Sequence, residues 1–190
     1  MARVIVVTGT PGAGKTTLAK GLAKKLGLQL VDLGELVKRE RLYASYDRAR
    51  RSYVVDERLV RSALRKMLRT SSVVATHFLG SIMPRNSVSL ALVLRLDPVV
   101  LYRRLRAKGW TRKKAWENVE SELLDVCYSE AVRILGRRRV FEINTTGRLR
   151  SRVLEEALRI IKRKSKGLGR RVDWLMVYDP IILGRRLKVG

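Results

Sequence analysis

The stretch Gly9-Thr10-Pro11-Gly12-Ala13-Gly14-Lys15-Thr16 decides the fold of this chain of 190 residues. It comes directly after a short β-branched run, residues 3–7, and before apolar residues at helical spacing, Leu18, Leu22 and Leu26. This is the phosphate-loop pattern, in which backbone N–H groups turn inward around phosphates at the N-terminus of a helix. In a chain of this length an accidental match has a chance on the order of one in a hundred. The stretch therefore predicts a nucleoside triphosphate site.

The pattern also assigns roles to individual side chains. The Lys15 ammonium is expected on the β- and γ-phosphate oxygens, and the Thr16 hydroxyl is expected to be a ligand of Mg²⁺. Gly12, Gly14 and Thr17 complete the predicted nucleotide-binding loop. The expected cofactors are ATP and Mg²⁺.

Composition excludes several classes of protein. Hydrophobic residues make up 46% of the chain, which is too many for a disordered protein. No apolar run reaches the length of a membrane span, since the best candidate, residues 90–94, ends at Arg95. The N-terminus has no export-signal pattern and Cys127 is the single cysteine, so we expect a cytoplasmic protein without membrane contact.

The chain is strongly basic along its whole length. Lys and Arg number 42 against 17 Asp and Glu, a formal net charge of +25, and each quarter of the chain is net positive. Such a surface attracts polyanions through counterion release. The low content of Asn and Gln leaves adaptation to heat as an alternative, but heat favours charges of both signs. We therefore expect contact with RNA or a ribonucleoprotein.

Strand and helix patterns alternate along the chain. They predict an α/β fold with three layers, the P-loop NTPase arrangement, around a central parallel five-stranded sheet. Residues 1–166 form the expected kinase domain, and residues 167–190 an apolar and basic extension behind a linker at residues 167–169. Strands are predicted at residues 3–7, 28–32, 72–75, 87–96 and 139–143, and helices at 17–26, 57–68, 98–107, 115–135 and 150–163.

Motifs beyond the phosphate loop resemble the adenylate kinase six family, the archaeal and nuclear relatives of nucleoside monophosphate kinases. The resemblance covers about residues 3–165 and rests mainly on Leu-Tyr-Ala-Ser-Tyr-Asp at 42–47 and Glu-Asn-Val at 117–119. It continues at residues 73–77, 93–95, 101–105, 109–110 and 144–147.

This resemblance implies a function as well as a fold. It implies a nucleoside monophosphate kinase-like core with a monophosphate-binding insertion, about residues 33–55, and a short lid, about residues 107–117. It also implies ATPase activity, broad monophosphate kinase activity with AMP as an expected acceptor, and a role in 16S rRNA and 30S small-subunit maturation. The implied partners are a platform ribosomal protein of the small subunit and pre-ribosomal RNA. A purely metabolic nucleotide kinase and an RNA-binding scaffold that retains a nucleotide site are the alternatives.

Two cations near the expected lid are candidates for the phosphates. Arg104 matches the family's arginine in the helix before the lid, and Lys108 lies four residues further, on the same helical face. Relatives usually have Arg where this chain has Lys108, and Lys keeps the charge but loses the bidentate contact. Both could instead belong to a solvated basic face.

Carboxylates and tyrosines after the second strand are the next candidates. Asp32 and Glu35 lie at the carboxyl end of a parallel strand, where ligands bind. Asp32 is expected to orient a Mg²⁺ ligand, or merely to cap the following turn. Tyr43, Tyr46 and Asp47 could contact the acceptor monophosphate or pack within the insertion.

The end of the third strand departs from the family's pattern. Relatives usually have Asp-x-His, and this chain has Ala75-Thr76-His77, so a carboxylate is missing while the single histidine remains. His77 is expected to polarise the attacking water or contact the γ-phosphate, with a structural role as the alternative. The missing carboxylate leaves open how Mg²⁺ is oriented.

Overall fold

The structure is a computed structural model that describes residues 3–48, 52–80, 82–163 and 171–189. Its strands are β1 (Val4–Thr8), β2 (Gln29–Asp32), β3 (Tyr43–Asp47), β4 (Ser52–Val55), β5 (Ser72–Ala75), β6 (Val88–Arg95) and β7 (Val140–Asn144). Its helices are α1 (Lys15–Leu26), α2 (Leu33–Arg39), α3 (Glu57–Met67), α4 (Pro98–Ala107), α5 (Arg112–Leu123), α6 (Val126–Leu135), α7 (Arg150–Arg163) and α8 (Pro180–Arg186).

Five strands form one parallel sheet in the order β2-β5-β1-β6-β7. The predicted three-layer fold with a parallel five-stranded sheet is confirmed. β1 lies at the centre, so the loop that follows it opens at the middle of the carboxyl edge, where α/β proteins bind ligands. β5 lies between β1 and β2, and Ala75 is the register partner of both Val7 and Asp32. The ends of these three strands therefore meet beside the phosphate loop.

Alternate residues of β1 supply the two apolar layers. Ile5 and Val7 pack with apolar residues of α1, α4, α5 and α7 on one face of the sheet. Val4 and Val6 pack with apolar residues of α2, α3 and α6 on the other face. Because β1 is buried on both faces, its sequence is continuously apolar, as expected for a central parallel strand.

Glycine is required where the phosphate loop leaves β1. A Cβ atom at Gly9 would lie 2.5 Å from the carbonyl oxygen of Leu94 on the neighbouring strand, and the φ angle of Gly9 is +137°. Gly14, at the N-cap of α1, has a φ angle of +104°. Side chains at either position would be strained, so the loop depends on glycine for its path.

One predicted helix was wrong. Residues 115–135 form two helices, α5 and α6, which are separated by Leu124 and Asp125. Asp125 has a φ angle of +55°, a left-handed conformation that ends the helical run. Its carboxylate pairs with the buried Arg95, and the break allows this contact. The periodicity of apolar residues in the sequence gives no information about such a long-range ion pair.

Three other regions carry structure that the patterns did not indicate. Residues 33–55 contain α2 and the antiparallel hairpin β3–β4, where no regular period was visible. α5 begins at Arg112, three residues before the predicted start of this helix at residue 115. The described part of the extension, residues 171–189, contains α8 and packs on the domain through Trp174 and Leu183. The predicted linker at residues 167–169 lies outside the described residues.

No helix in the described ranges combines the length and the apolar character that crossing a bilayer requires.

Candidate phosphate-binding site

A cavity of about 720 Å³ opens over the phosphate loop. Gly12, Gly14, Lys15, Thr16 and Thr17 line it, together with Arg104 and Lys108 from α4 and its C-terminal turn. The structure thus brings together the predicted nucleotide-binding residues and both candidate cations of the lid. The remaining polar lining residues include Thr145, Arg148, Arg150 and Ser151.

Charge in this cavity has one sign. Five cations line it, Lys15, Arg104, Lys108, Arg148 and Arg150, and the described lining includes no carboxylate. Such a set favours a ligand with several negative charges. Arg148 and Arg150 were missed in the sequence, where nothing distinguished them among 42 basic residues.

Lys15 is held inside the loop. Its Nζ donates to the carbonyl oxygen of Thr10 at 3.0 Å. The pKa of Lys15 is lowered from its ordinary value to about 8, mainly by burial and in smaller part by the charge of Lys108, while the carboxylates of Asp32 and Glu122 oppose the shift. The ammonium is therefore poorly solvated in the free protein, and a phosphate group would stabilise its charged form.

The Thr16 hydroxyl and Asp32 form an oxygen pair beside the cavity. Thr16 Oγ1 donates to Asp32 Oδ2 at 2.7 Å, while Asp32 Oδ1 accepts from the backbone N–H groups of Gly34 and Glu35. Asp32 thus caps α2, as one of the two alternatives expected, and it also contacts Thr16, the expected ligand of Mg²⁺. A hydroxyl and a carboxylate are hard oxygen donors, so this pair fits a Mg²⁺ ion that also uses phosphate oxygens and water.

The third-strand residues occupy different surroundings. Ala75 is buried in the apolar layer beside α1, so a carboxylate there would enter the core. His77 lies just beyond β5, solvent-exposed on one side and outside the residues that line the cavity. Partial burial and the nearby charge of Lys15 lower the pKa of His77 below its ordinary value. The imidazole is therefore mainly neutral at neutral pH.

Cys127 lies next to His77. Its thiol donates to the His77 carbonyl oxygen at 3.8 Å, and burial raises the pKa of the Cys127 thiol to about 11. A thiol with such a pKa is unreactive at neutral pH.

The expected acceptor region is built around a tyrosine cluster. The Tyr53 ring lies 4.4 Å from that of Tyr43 and 5.1 Å from that of Tyr46, measured between centroids across the β3–β4 hairpin. These rings pack on one another, in agreement with the alternative that the tyrosines pack within the insertion. Tyr46 and Tyr53 also keep exposed surface, which leaves room for a further planar group.

A buried ion cluster supports the phosphate loop from below. Arg95, at the end of β6, pairs with Glu122, Asp125 and Glu142, and its side chain is 2% exposed. Burial opposes the charged guanidinium, but the three carboxylates outweigh it and raise the pKa of Arg95 above its ordinary value. The phosphate loop joins the cluster through Thr10, whose hydroxyl donates to Glu122 Oε2 at 2.7 Å. Sequence reasoning missed this cluster because its members lie far apart in the chain.

Known proteins resemble this chain in sequence. The chain matches a family described as AAA domain over residues 5–125. A protein named "Putative adenylate kinase" from Thermococcus kodakarensis is 38% identical over 188 residues, which is 97% of this chain and 99% of that protein. A protein of the same name from Saccharolobus solfataricus is 36% identical over 173 residues, 91% of this chain and 88% of that protein. The chain belongs to this archaeal adenylate kinase-like family.

Fold comparison agrees with this membership. A shikimate kinase from Acinetobacter baumannii, solved with shikimate, aligns with a TM-score of 0.63 and 15% identity over 87% of this chain and 95% of that chain. At this identity the likeness concerns the fold alone. The family and the fold together place the chain among P-loop enzymes of the kinase type. The archaeal relatives confirm the resemblance to archaeal adenylate kinase-like proteins that the sequence motifs indicated.

The pKa of Lys15 predicts how nucleotide affinity depends on pH. In the free protein the ammonium loses its proton above about pH 8, whereas bound phosphates hold the proton to a higher pH. ATP affinity should therefore be constant below pH 8 and fall above it, by up to about tenfold per pH unit. Calorimetric titration with MgATP across this range measures the effect. A Lys15→Met variant should bind weakly and without this slope, and an equally sloped variant would contradict the assignment.

Proposed function

We propose that this protein is a broad nucleoside monophosphate kinase that uses ATP and Mg²⁺, also hydrolyses ATP, and acts in maturation of the small ribosomal subunit. The observation that supports the chemistry is the cavity over the phosphate loop, which is lined by five cations and by no described carboxylate. The names of the archaeal relatives point to adenylate kinase activity and to AMP as an acceptor.

Phosphoryl transfer demands alignment and positive charge rather than covalent chemistry from the protein. An acceptor oxygen forms a bond to the γ-phosphorus while the bond to the β–γ bridging oxygen breaks, and ADP carries the electron pair away. Lys15 stabilises the charge that grows on the β- and γ-phosphate oxygens. Arg104 and Lys108 approach from α4 and stabilise the same charge, and Arg104 already donates to the Gly12 carbonyl oxygen at 3.3 Å.

Thr16 and Asp32 are the residues that would hold Mg²⁺, Thr16 through its hydroxyl and Asp32 by orienting ligands around it. When bound there, a Mg²⁺ ion would neutralise part of the negative charge on the phosphates. Because Ala75 is buried among apolar residues, Asp32 takes the place of the carboxylate that relatives have on the third strand.

His77 serves hydrolysis when water replaces the monophosphate. Its neutral imidazole at the end of β5 is the protonation state that accepts a hydrogen bond from water. Tyr46 and Tyr53 face the acceptor in the other reaction, where their exposed ring surface stacks on a base. The apolar residues Val153 and Leu154 of α7 line the cavity and contact the base of ATP.

Turnover of ATP with and without AMP tests the chemistry. ADP formation should exceed simple hydrolysis when AMP is present, and Lys15→Ala should lower both rates to below about a tenth, because the transferring group loses its cation. Lys20→Ala is the matched control, since Lys20 is an exposed lysine on the same helix and outside the cavity. If the rate of ADP formation is the same with and without AMP, the protein is an ATPase and not a monophosphate kinase. Full activity in Lys15→Ala would contradict the site itself.

A second candidate function, RNA binding, is favoured by a groove on α3. This groove, of about 840 Å³, is lined by Arg58, Arg61, Arg65 and Lys66. Asp56 and Glu57 also line it, so four cations stand beside two carboxylates, and the Asp56 carboxylate accepts from the N–H groups of Arg58 and Leu59. Arg61 Nε is buried without a hydrogen-bond partner among the described residues. Such a cationic groove suits the phosphates of pre-ribosomal RNA, and a platform ribosomal protein bound to that RNA is the expected protein partner.

The salt dependence of RNA binding tests this second function. The logarithm of affinity for a small-subunit rRNA fragment should fall linearly with the logarithm of salt concentration. Arg58→Gln and Arg65→Gln should each reduce that slope by about one. Arg152→Gln is the control, because Arg152 is equally exposed but pairs with Glu155 on α7. Weak binding at low salt, or a salt-dependence slope that is the same in the wild type and all variants, would contradict RNA binding by this groove. Adaptation to heat would then explain the basic surface.

A further inference from the structure

Four donors converge on the carboxylate of Glu122, which is 2% exposed. Oε2 accepts from the hydroxyl of Thr10 at 2.7 Å. Oε1 accepts from Arg95 Nε at 2.7 Å, from the Leu96 backbone N–H at 3.2 Å and from Trp174 Nε1 at 3.0 Å. Both oxygens of this buried anion therefore have defined donors, three on Oε1 and one on Oε2, and these donors fix the orientation of the carboxylate.

Trp174 lies in a part of the chain that has no role in the proposed nucleotide chemistry. We call residues 171–189 the C-terminal segment. Trp174 is 7% exposed, and further bonds tie the segment to the domain. The Val172 carbonyl oxygen accepts from Arg95 at 3.1 Å, and the Tyr178 hydroxyl donates to Asp97, the N-cap of α4. The segment thus reaches the end of β6 and the start of α4, which are two of the elements that line the phosphate cavity.

Thr10 connects the Glu122 carboxylate to the catalytic Lys15 through two hydrogen bonds. Its side chain is 1% exposed and bonded to Glu122, so the loop backbone at this residue has little freedom. The carbonyl oxygen of the same residue accepts from Lys15 Nζ. A continuous path of three hydrogen bonds runs from the Trp174 indole through Glu122 and Thr10 to the Lys15 ammonium.

We propose that Trp174 is a positioning residue for the phosphate loop, which it holds in its triphosphate-binding conformation through Glu122 and Thr10. This rests on the proposed binding of ATP. Without the indole N–H, Oε1 keeps two donors, and the buried carboxylate turns toward other cations, among them the nearby Lys15. Thr10 and Lys15 then leave the positions that face the phosphates, so the loss appears in ATP affinity rather than in the chemical step.

The test is Trp174→Phe, which keeps an aromatic ring and removes the donor. Loss of a hydrogen bond to a buried charged acceptor corresponds to about tenfold or more in an equilibrium constant. The Kd and KM for MgATP should therefore rise about tenfold, with kcat changed much less. Trp116→Phe is the matched control, because the Trp116 ring packs against Gly184 of α8 in the same segment and is absent from the Glu122 bonds. Its ATP affinity should equal that of the wild type.

A double-mutant cycle separates positioning from general stability. Thr10→Val should also weaken ATP binding, Thr10→Ser should restore it, and Thr10→Val with Trp174→Phe should be no weaker than the worse single variant. The Thr10 pair gives the same answer from the loop side if Trp174→Phe fails to fold. Independent effects of the two changes, or an unaltered Kd in Trp174→Phe with a lowered Tm, would overturn the proposal. A wild-type protein that binds no ATP would remove the proposed function and this inference together.

Discussion

Arg95 carries a full positive charge into the interior of the protein, and its pairing governs how the surrounding elements meet. An unpaired guanidinium is too costly to bury, so Glu122 of α5, Asp125 of the helix break and Glu142 of β7 converge on it. Removing one partner from such a buried pair costs about 3–5 kcal/mol. The break between α5 and α6, the edge of the sheet and the position of the C-terminal segment all follow from satisfying this one charge.

The same cluster separates charge across the phosphate loop. Carboxylates are buried beneath the loop, whereas the charged residues in the described lining of the cavity above it are all cations. Burial raises the pKa of Glu142, and the charge of Arg95 and its hydrogen bond oppose that rise. The hydrogen bond from Thr10 to Glu122 thus fixes the loop from below, and the cavity above it is open to a polyanion. Rigid support below and a predominance of positive charge above are conditions that a preorganised phosphoryl-transfer site requires.

Local patterns predicted the parts of this site that neighbouring residues determine. The phosphate loop, the apolar parallel strands and the helix that begins with Asp97 and Pro98 all appear in the structure as expected. Arg148 and Trp174 could not be predicted, because their roles depend on contacts across the fold. The hairpin β3–β4 was missed for a related reason: its tyrosines pack on one another and leave no alternation of buried and exposed residues.

In the arrangement described here, the buried anion of Glu122 holds the phosphate loop in place for a triphosphate whose charge the Lys15 ammonium then stabilises. A crystal structure with a non-hydrolysable ATP analogue and Mg²⁺ is the decisive measurement. We expect the Lys15 ammonium to leave the Thr10 carbonyl oxygen for the β- and γ-phosphates, while the bond from the Thr10 hydroxyl to Glu122 stays in place. A triphosphate bound away from the loop, or a loop that breaks its bond to Glu122 when the triphosphate binds, would show that Glu122 does not hold the loop in this way.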